Sequence, residues 1–141
     1  MPPKTFTVAE ANALLPQVIP LIEQLQGIHR SIQHTAQQLD EAVAKLSGGN
    51  GHPIQSLKER IQEITSHQLT LVEAFQSALA QLQELGGVLK DVDLGLVDFH
   101  GLRNGEVMFL CWKMGERRIQ FWHTLESGYA DRQPLDQDVK P

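Results

Sequence analysis

The residues with the clearest chemical potential lie close together near the C-terminal end of the chain. His123 and Glu126 are three residues apart, so their side chains would share one face if the chain turned helically there. Glu106 belongs to a neighbouring predicted strand, and Asp98, His100 or Cys111 could supply further ligands. Imidazole and carboxylate groups bind divalent metals, which predicts a zinc, iron or manganese site around His123. In the alternative interpretation, the two glutamates only hydrogen-bond the histidine and fix the tail of the chain.

A second hypothesis places a small-ligand pocket between a sheet and the helices. Cys111 is predicted to lie in the middle of a strand, without a helix N-terminus to lower its pKa, so we expect a buried structural thiol rather than a nucleophile. Asp98, Cys111 and Arg118 could form a polar row across three strands, or an ordinary solvated sheet face. The residues predicted to line the pocket are Trp112, Trp122, Tyr129, Cys111 and Arg118.

Composition limits the possible functions of this 141-residue chain. Its net charge is −5 and its basic residues are scattered, which argues against binding to a nucleic-acid backbone. A single cysteine excludes an internal disulfide and a cysteine-rich zinc site. No apolar run approaches the ~20 residues of a membrane span, and the first residues do not resemble a secretion signal. We therefore expect a cytoplasmic protein that binds neither nucleic acid nor membranes.

A helical hairpin over residues 7–86 is predicted to position the chemical residues. Thr7 and Glu10 form a capping box, which starts the first helix. Pro16 is expected to end that short helix and to lie in the first turn of a longer one, because proline lacks the N–H group that a helix interior requires.

The longer helices are predicted to form an antiparallel, coiled-coil-like hairpin. Apolar residues recur at alternating steps of four and three over residues 21–46 and 57–85, which is a heptad pattern. The glycine-rich segment 47–51 between them is short and cannot sustain a helix. Because two helices bury only one stripe each, we expect a homodimer in which two hairpins form a four-helix bundle.

Residues 88–123 are predicted to form a small antiparallel β meander. Asn104 and Gly105 both tolerate the positive φ of a type I′ turn, the strongest local hairpin signal in the chain. Pairing the strands around this turn places Asp98 opposite Cys111.

A second turn, at residues 114–116, is predicted to reverse the chain and lead into the third main strand, over residues 117–123. Both registers that we consider plausible keep Phe121 and His123 on the sheet face that packs against the helices. The other members of that predicted apolar face are Val97, Phe99, Met108, Leu110, Trp112 and Ile119.

Several short motifs are distributed over nearly the whole chain to residue 135. They are EANALLP (10–16), LKD (89–91), GLVDF (95–99), LCW (110–112), GE (115–116), WH (122–123) and RQPL (132–135). These motifs resemble those of the uncharacterised bacterial family DUF2203. The resemblance implies a family identity and no established activity, substrate or cofactor. His100, Thr124 and Asp131 stand where the family usually has proline, glutamate and glycine, and Thr124 leaves Glu126 as the better carboxylate partner for His123.

The sequence thus predicts one α+β domain over residues 1–135, in which a helical hairpin (7–86) packs at one end on a β meander (88–123). Residues 124–135 are expected to form an ordered tail and residues 136–141 a disordered one. The first functional hypothesis is a non-enzymatic, homodimeric binding or scaffolding protein with the hairpin as its dimerisation element. The alternative is a metal-binding protein or metal-dependent enzyme with its site around His123.

Overall fold

The computed structural model describes residues 3–48, 51 and 53–135. These residues contain two long helices and an antiparallel sheet of five strands. The predicted α+β fold, with a helical hairpin and a β meander, is confirmed. The disorder predicted for residues 136–141 lies outside the described residues. The helices are α1 (Val8–Gly48) and α2 (Ile54–Glu84). The strands, adjacent in chain order, are β1 (Val88–Asp91), β2 (Leu96–Arg103), β3 (Glu106–Lys113), β4 (Phe121–His123) and β5 (Gln133–Pro134).

Helix α1 begins with the predicted capping box. The Glu10 backbone N–H donates to Thr7 Oγ1 over 3.0 Å, and the Thr7 N–H donates to Glu10 Oε1 over 2.9 Å. The prediction that Pro16 separates two helices is wrong, because α1 continues through both Pro16 and Pro20. Both prolines lie on its exposed side. The opposite side is buried, and we attribute the continuity of the helix to this burial, which outweighs the missing hydrogen bonds. The buried residues of this part of α1 are Ala11, Leu15, Val18, Leu21, Ile22 and Leu25.

The heptad pattern correctly marks the sides on which the two helices face each other. Helices α1 and α2 pack together along their length, and every seam position predicted in α2 is buried or half-buried. These positions are Leu57, Ile61, Ile64, Gln68, Leu71, Phe75, Ala78, Leu82 and Leu85. Among the described residues, no helix has both the length and the apolarity needed to cross a membrane.

Strands β2 and β3 pair in the predicted register. Asn104 and Gly105 have φ angles of 54° and 81°, as a turn with two left-handed residues requires. Asp98 consequently lies opposite Cys111.

Neither predicted register of the last main strand is observed, because each differs from the observed one by an odd number of residues. Strand β4 begins only at Phe121, and it pairs Leu110 with Trp122 and Phe109 with His123. A one-residue shift exchanges the two faces of a strand, so Trp122 packs in the core while Phe121 and His123 lie on the opposite face. The segment before β4 is irregular, and Asn12 Oδ1 in α1 accepts a hydrogen bond from the Ile119 N–H over 2.7 Å. The chain turns directly after β3, where the Glu116 N–H donates to the Lys113 carbonyl oxygen over 3.0 Å, and the contact with Asn12 then holds the segment before β4.

The hydrophobic core lies where the hairpin ends meet one face of the sheet. The N-terminal part of α1 and the C-terminal part of α2 cover that face, so its strands contribute alternate apolar residues to the core. The side chains of the opposite face are therefore not part of this core. The sheet residues of the core are Val97, Phe99, Met108, Leu110, Trp112, Ile119 and Trp122.

Candidate functional site

Three polar side chains on the sheet face opposite the helices form a buried cluster. Asp98 from β2, Cys111 from β3 and His123 from β4 are only 0%, 0% and 3% exposed. Each offers one potential ligand atom, and these atoms lie within 4.8 Å of one another. The β2–β3 register places Asp98 beside Cys111, and the shifted β4 register brings His123 onto the same face. Oxygen, sulfur and nitrogen donors thus converge from three adjacent strands.

Both ring nitrogens of His123 have defined partners. The Nδ1 atom lies 2.8 Å from the Thr124 carbonyl oxygen, and the Nε2 atom lies 2.9 Å from Asp98 Oδ2. A carbonyl can only accept, so Nδ1 carries a proton, and Nε2 of a neutral ring then has only a lone pair. The contact with Asp98 is therefore favourable only with a proton between the two atoms. A metal ion could take the place of that proton.

Asp98 is the least solvated charged group of the cluster. Burial raises the pKa of its carboxyl above the usual value of 3.8, and the neighbouring His123, Cys111 and Lys90 only partly oppose this effect. The Lys90 ammonium lies 3.9 Å from Asp98 Oδ2. Asp98 Oδ1 is buried without a hydrogen-bond partner among the described residues. Because buried polar atoms are nearly always paired in native proteins, this atom is available for an additional partner.

Cys111 has the environment of an unreactive thiol. Burial and, to a smaller extent, the Asp98 carboxylate raise its pKa to about 12. The thiol therefore stays protonated at neutral pH, and the expectation of a buried cysteine is confirmed. A bound metal would reverse this state, because a coordinating thiol loses its proton.

Two basic residues flank the cluster, and sequence reasoning missed the role of both. Lys90 lies over the Phe109 ring at 4.2 Å from its centroid, on the Asp98 side. Arg132 lies over the Phe121 ring at 4.0 Å, on the Cys111 side. Arg132 also forms a bidentate ion pair with Glu116, with N–O distances of 3.1 and 2.7 Å. One sequence signal for the arginine and the glutamate is that both lie in motifs shared with the family.

The other predicted metal ligands lie outside this cluster. Glu106 and Glu126 are exposed and border an open groove at the β2–β3 turn. His100 is half-buried beside the Phe109 ring, 4.7 Å between centroids, and burial lowers its pKa. The structure thus brings His123 together with Asp98 and does not bring the two glutamates to its ring nitrogens.

The residues predicted to line a ligand pocket are also dispersed. Trp112 and Trp122 are buried in the core on the helix-facing side of the sheet, whereas Cys111 is on the other side. Tyr129 is half-buried, with its ring 4.4 Å from the Arg132 guanidinium, and Arg118 is exposed. These five side chains therefore do not share one cavity.

Comparison with known proteins identifies a family but no characterised relative. No curated protein matches this chain, and no solved structure does. The sequence model of a family described as "Uncharacterized conserved protein (DUF2203)" matches residues 4–135. The matched region includes both helices, all five described strands and the complete buried cluster. The chain therefore belongs to the DUF2203 family.

Proposed function

We propose that the protein binds a divalent metal ion through Asp98, Cys111 and His123. The observation that carries this proposal is the convergence of three different donor atoms within 4.8 Å at a buried position. The unpartnered Asp98 Oδ1 supports it, since a metal would satisfy an atom that is otherwise costly to bury. Atoms bound to one tetrahedral zinc ion, each about 2.0–2.3 Å from it, lie about 3.3–3.8 Å apart. The three donor atoms lie within 4.8 Å of one another, and Nε2 and Oδ2 are 2.9 Å apart, so small side-chain movements would bring them to these distances.

The donor set favours zinc or iron over manganese. A thiolate ligand selects softer metals, whereas manganese prefers oxygen donors. Three protein ligands with a fourth position open to water are typical of catalytic zinc sites. The Nδ1–H of His123 donates to a backbone carbonyl, which is the usual second contact of a metal-binding histidine. Glu116 already balances the charge of Arg132, and the Asp98 carboxylate and Cys111 thiolate would balance that of the ion.

Metal titration of protein purified without a histidine tag tests this proposal. Zinc should bind with a stoichiometry of one ion per chain. Cobalt bound in place of zinc should show a sulfur-to-cobalt charge-transfer band in its absorption spectrum. Cys111→Ser should remove the band, because the band requires the thiolate. Glu126→Gln is the matched control, since this exposed carboxylate lies outside the cluster, and it should leave the titration unchanged. Failure of zinc, iron and manganese to bind stoichiometrically would contradict the proposal.

We also propose that the hairpin is a homodimerisation element, as in a scaffolding protein. Beyond Leu25, the only buried residues of α1 are Thr35 and Ala42 among those the structure describes. The other seam positions in this part of α1 are half-buried, and Leu69 on α2 is 59% exposed. Helix α2 has 31 residues and is about 46 Å long at 1.5 Å per residue. A second hairpin would cover these apolar positions in a four-helix bundle, which a two-helix arm cannot do alone.

Light scattering at micromolar concentration tests the dimer. The expected mass is twice the 15.8 kDa of one chain. Leu69→Glu should shift the mass towards that of a monomer, because it places a charge on the arm where we expect the second copy to pack. Leu102→Glu, at a similarly exposed leucine on β2 (54%), should have no such effect. A monomer mass for the wild type would overturn this proposal.

A further inference from the structure

We propose that residues 129–135 form a strap that controls access to the buried cluster and is held closed by the Arg132–Glu116 ion pair. This inference concerns the regulation of the proposed metal site and in that respect rests on the metal proposal. The strap consists of a short 3₁₀ turn (Tyr129–Asp131) followed by Arg132 and the edge strand β5. Neither of the two described helices covers the sheet face on which the cluster lies, so its burial depends on side chains of the sheet and of this segment.

Arg132 is the part of the strap that closes the cluster. Its Nη1 atom lies 3.9 Å from Cys111 Sγ. Its guanidinium lies over the ring of Phe121, the residue that pairs with Cys111 across β3 and β4. The cysteine is fully buried although it is on the face opposite the helices. Lifting Arg132 would therefore expose the sulfur without any change in the helical core.

The strap is attached along one edge of the sheet. Strand β5 has two residues, both exposed, and pairs with β4. The Leu135 N–H donates to the Gln120 carbonyl oxygen over 2.8 Å, and the half-buried Leu135 side chain packs against the hydrophobic core. Such short edge segments open locally at a lower free energy than global unfolding. The charged contact of the strap is the Arg132–Glu116 pair, whose side chains are 14% and 17% exposed.

Glu116 is itself fixed to the sheet, which makes it an effective anchor. Its Oε1 atom accepts a hydrogen bond from the Lys113 N–H over 2.8 Å, and its carbonyl oxygen accepts one from Trp112 Nε1 over 2.9 Å. The carboxylate is therefore held in place before Arg132 binds it. Breaking this pair should favour the open strap and speed the exchange of metal with solution.

The rate of Cys111 alkylation by iodoacetamide in the metal-free protein tests the strap without relying on metal binding. Arg132→Ala and Glu116→Gln should each raise the rate about tenfold, the factor given by about 1.4 kcal/mol of lost closing free energy. Glu116→Gln keeps the shape of the side chain, so it serves if Arg132→Ala folds poorly. Arg118→Ala, which removes an exposed arginine outside the strap, should alkylate at the wild-type rate. A guanidinium beside Sγ lowers the thiol pKa, so its loss alone would slow the reaction.

Two further measurements separate this proposal from the metal proposal. Urea denaturation gives the global stability of each variant, and faster alkylation that is fully explained by lower global stability would overturn the strap. The transfer of zinc to an added chelator should be faster in both variants. If the thiol rates rise but the wild type binds no metal, the strap stands and the metal proposal fails. If zinc binds but both alkylation rates equal that of the wild type, the strap fails and the metal proposal stands.

Discussion

Replacing Asp98 by asparagine should abolish zinc binding while leaving the metal-free protein at least as stable as the wild type. The amide has nearly the same shape as the carboxyl but cannot provide an anionic ligand. Its N–H group can donate to the lone pair of His123 Nε2, so the contact that now joins Asp98 Oδ2 and Nε2 would persist as a neutral hydrogen bond. Burial raises the pKa of Asp98, so its carboxylate form costs stability at neutral pH, and the amide removes this cost.

Urea denaturation with and without zinc measures both effects. At a zinc concentration 100 times the dissociation constant, the wild type should gain about 2.7 kcal/mol in the free energy of unfolding, and Asp98→Asn should gain none. Without zinc, the stability of the wild type should fall as the pH rises above 3.8, since the raised carboxyl pKa means that the folded state binds the proton more tightly. This slope should be weaker in the variant.

Asp93→Asn is a suitable control, because Asp93 is an exposed carboxylate on the turn between β1 and β2 and should not affect zinc binding. A large loss of stability in metal-free Asp98→Asn would indicate that the Asp98–His123 pair serves only to hold the sheet together. Zinc stabilisation that persists in Asp98→Asn would remove this residue from the site.

The sequence could predict that Asp98 and Cys111 lie side by side, and this prediction depends on one tight turn. Asn104 and Gly105 leave only one way to connect β2 and β3, so every pair of these strands follows from the turn, including Asp98 with Cys111. Alternation along the strands then places both residues on one face. No distant contact is needed to obtain this result.

The position of His123 could not be predicted in the same way. The connection from β3 to β4 is an irregular segment of seven residues, 114–120, and its length does not determine which residue of β4 pairs with Leu110. The offset is fixed by distant contacts, such as that of Asn12 in α1 with Ile119. Because an error of one residue exchanges the faces of a strand, His123 was expected beside the core instead of beside Asp98.

The strap was missed for a related reason. Arg132 and Glu116 are 16 residues apart, and no local pattern in the sequence relates them. Their pairing follows from the path of the chain after β4, which returns along the edge of the sheet as β5.

The continuity of α1 through Pro16 also depends on tertiary structure. The apolar surface that α1 buries against the sheet outweighs the local helix-breaking effect of the proline.

Replacing Trp112 by alanine should cost about 3–5 kcal/mol of stability, a large share of the about 5–15 kcal/mol typical of a folded domain. Trp112 is fully buried at the centre of the core between the sheet and the hairpin, so the substitution leaves a cavity that the surrounding residues cannot fill. Urea denaturation should give a much lower midpoint than that of the wild type. An unchanged midpoint would contradict the packing described for this face of the sheet.

Trp112→Phe separates the packing of the indole from its hydrogen bond. The smaller ring retains most of the apolar contact but leaves the Glu116 carbonyl oxygen without its Nε1 donor, which should cost about 1–3 kcal/mol. This carbonyl belongs to the residue that anchors Arg132, so the phenylalanine variant should also alkylate faster at Cys111 than its loss of global stability explains. A double-mutant cycle with Arg132→Ala should then show a coupling free energy of about 0.5–3 kcal/mol. Strict additivity in that cycle would mean that the core and the strap are independent. The hydrogen bond between Trp112 and Glu116 would then have no effect on the contact between Glu116 and Arg132.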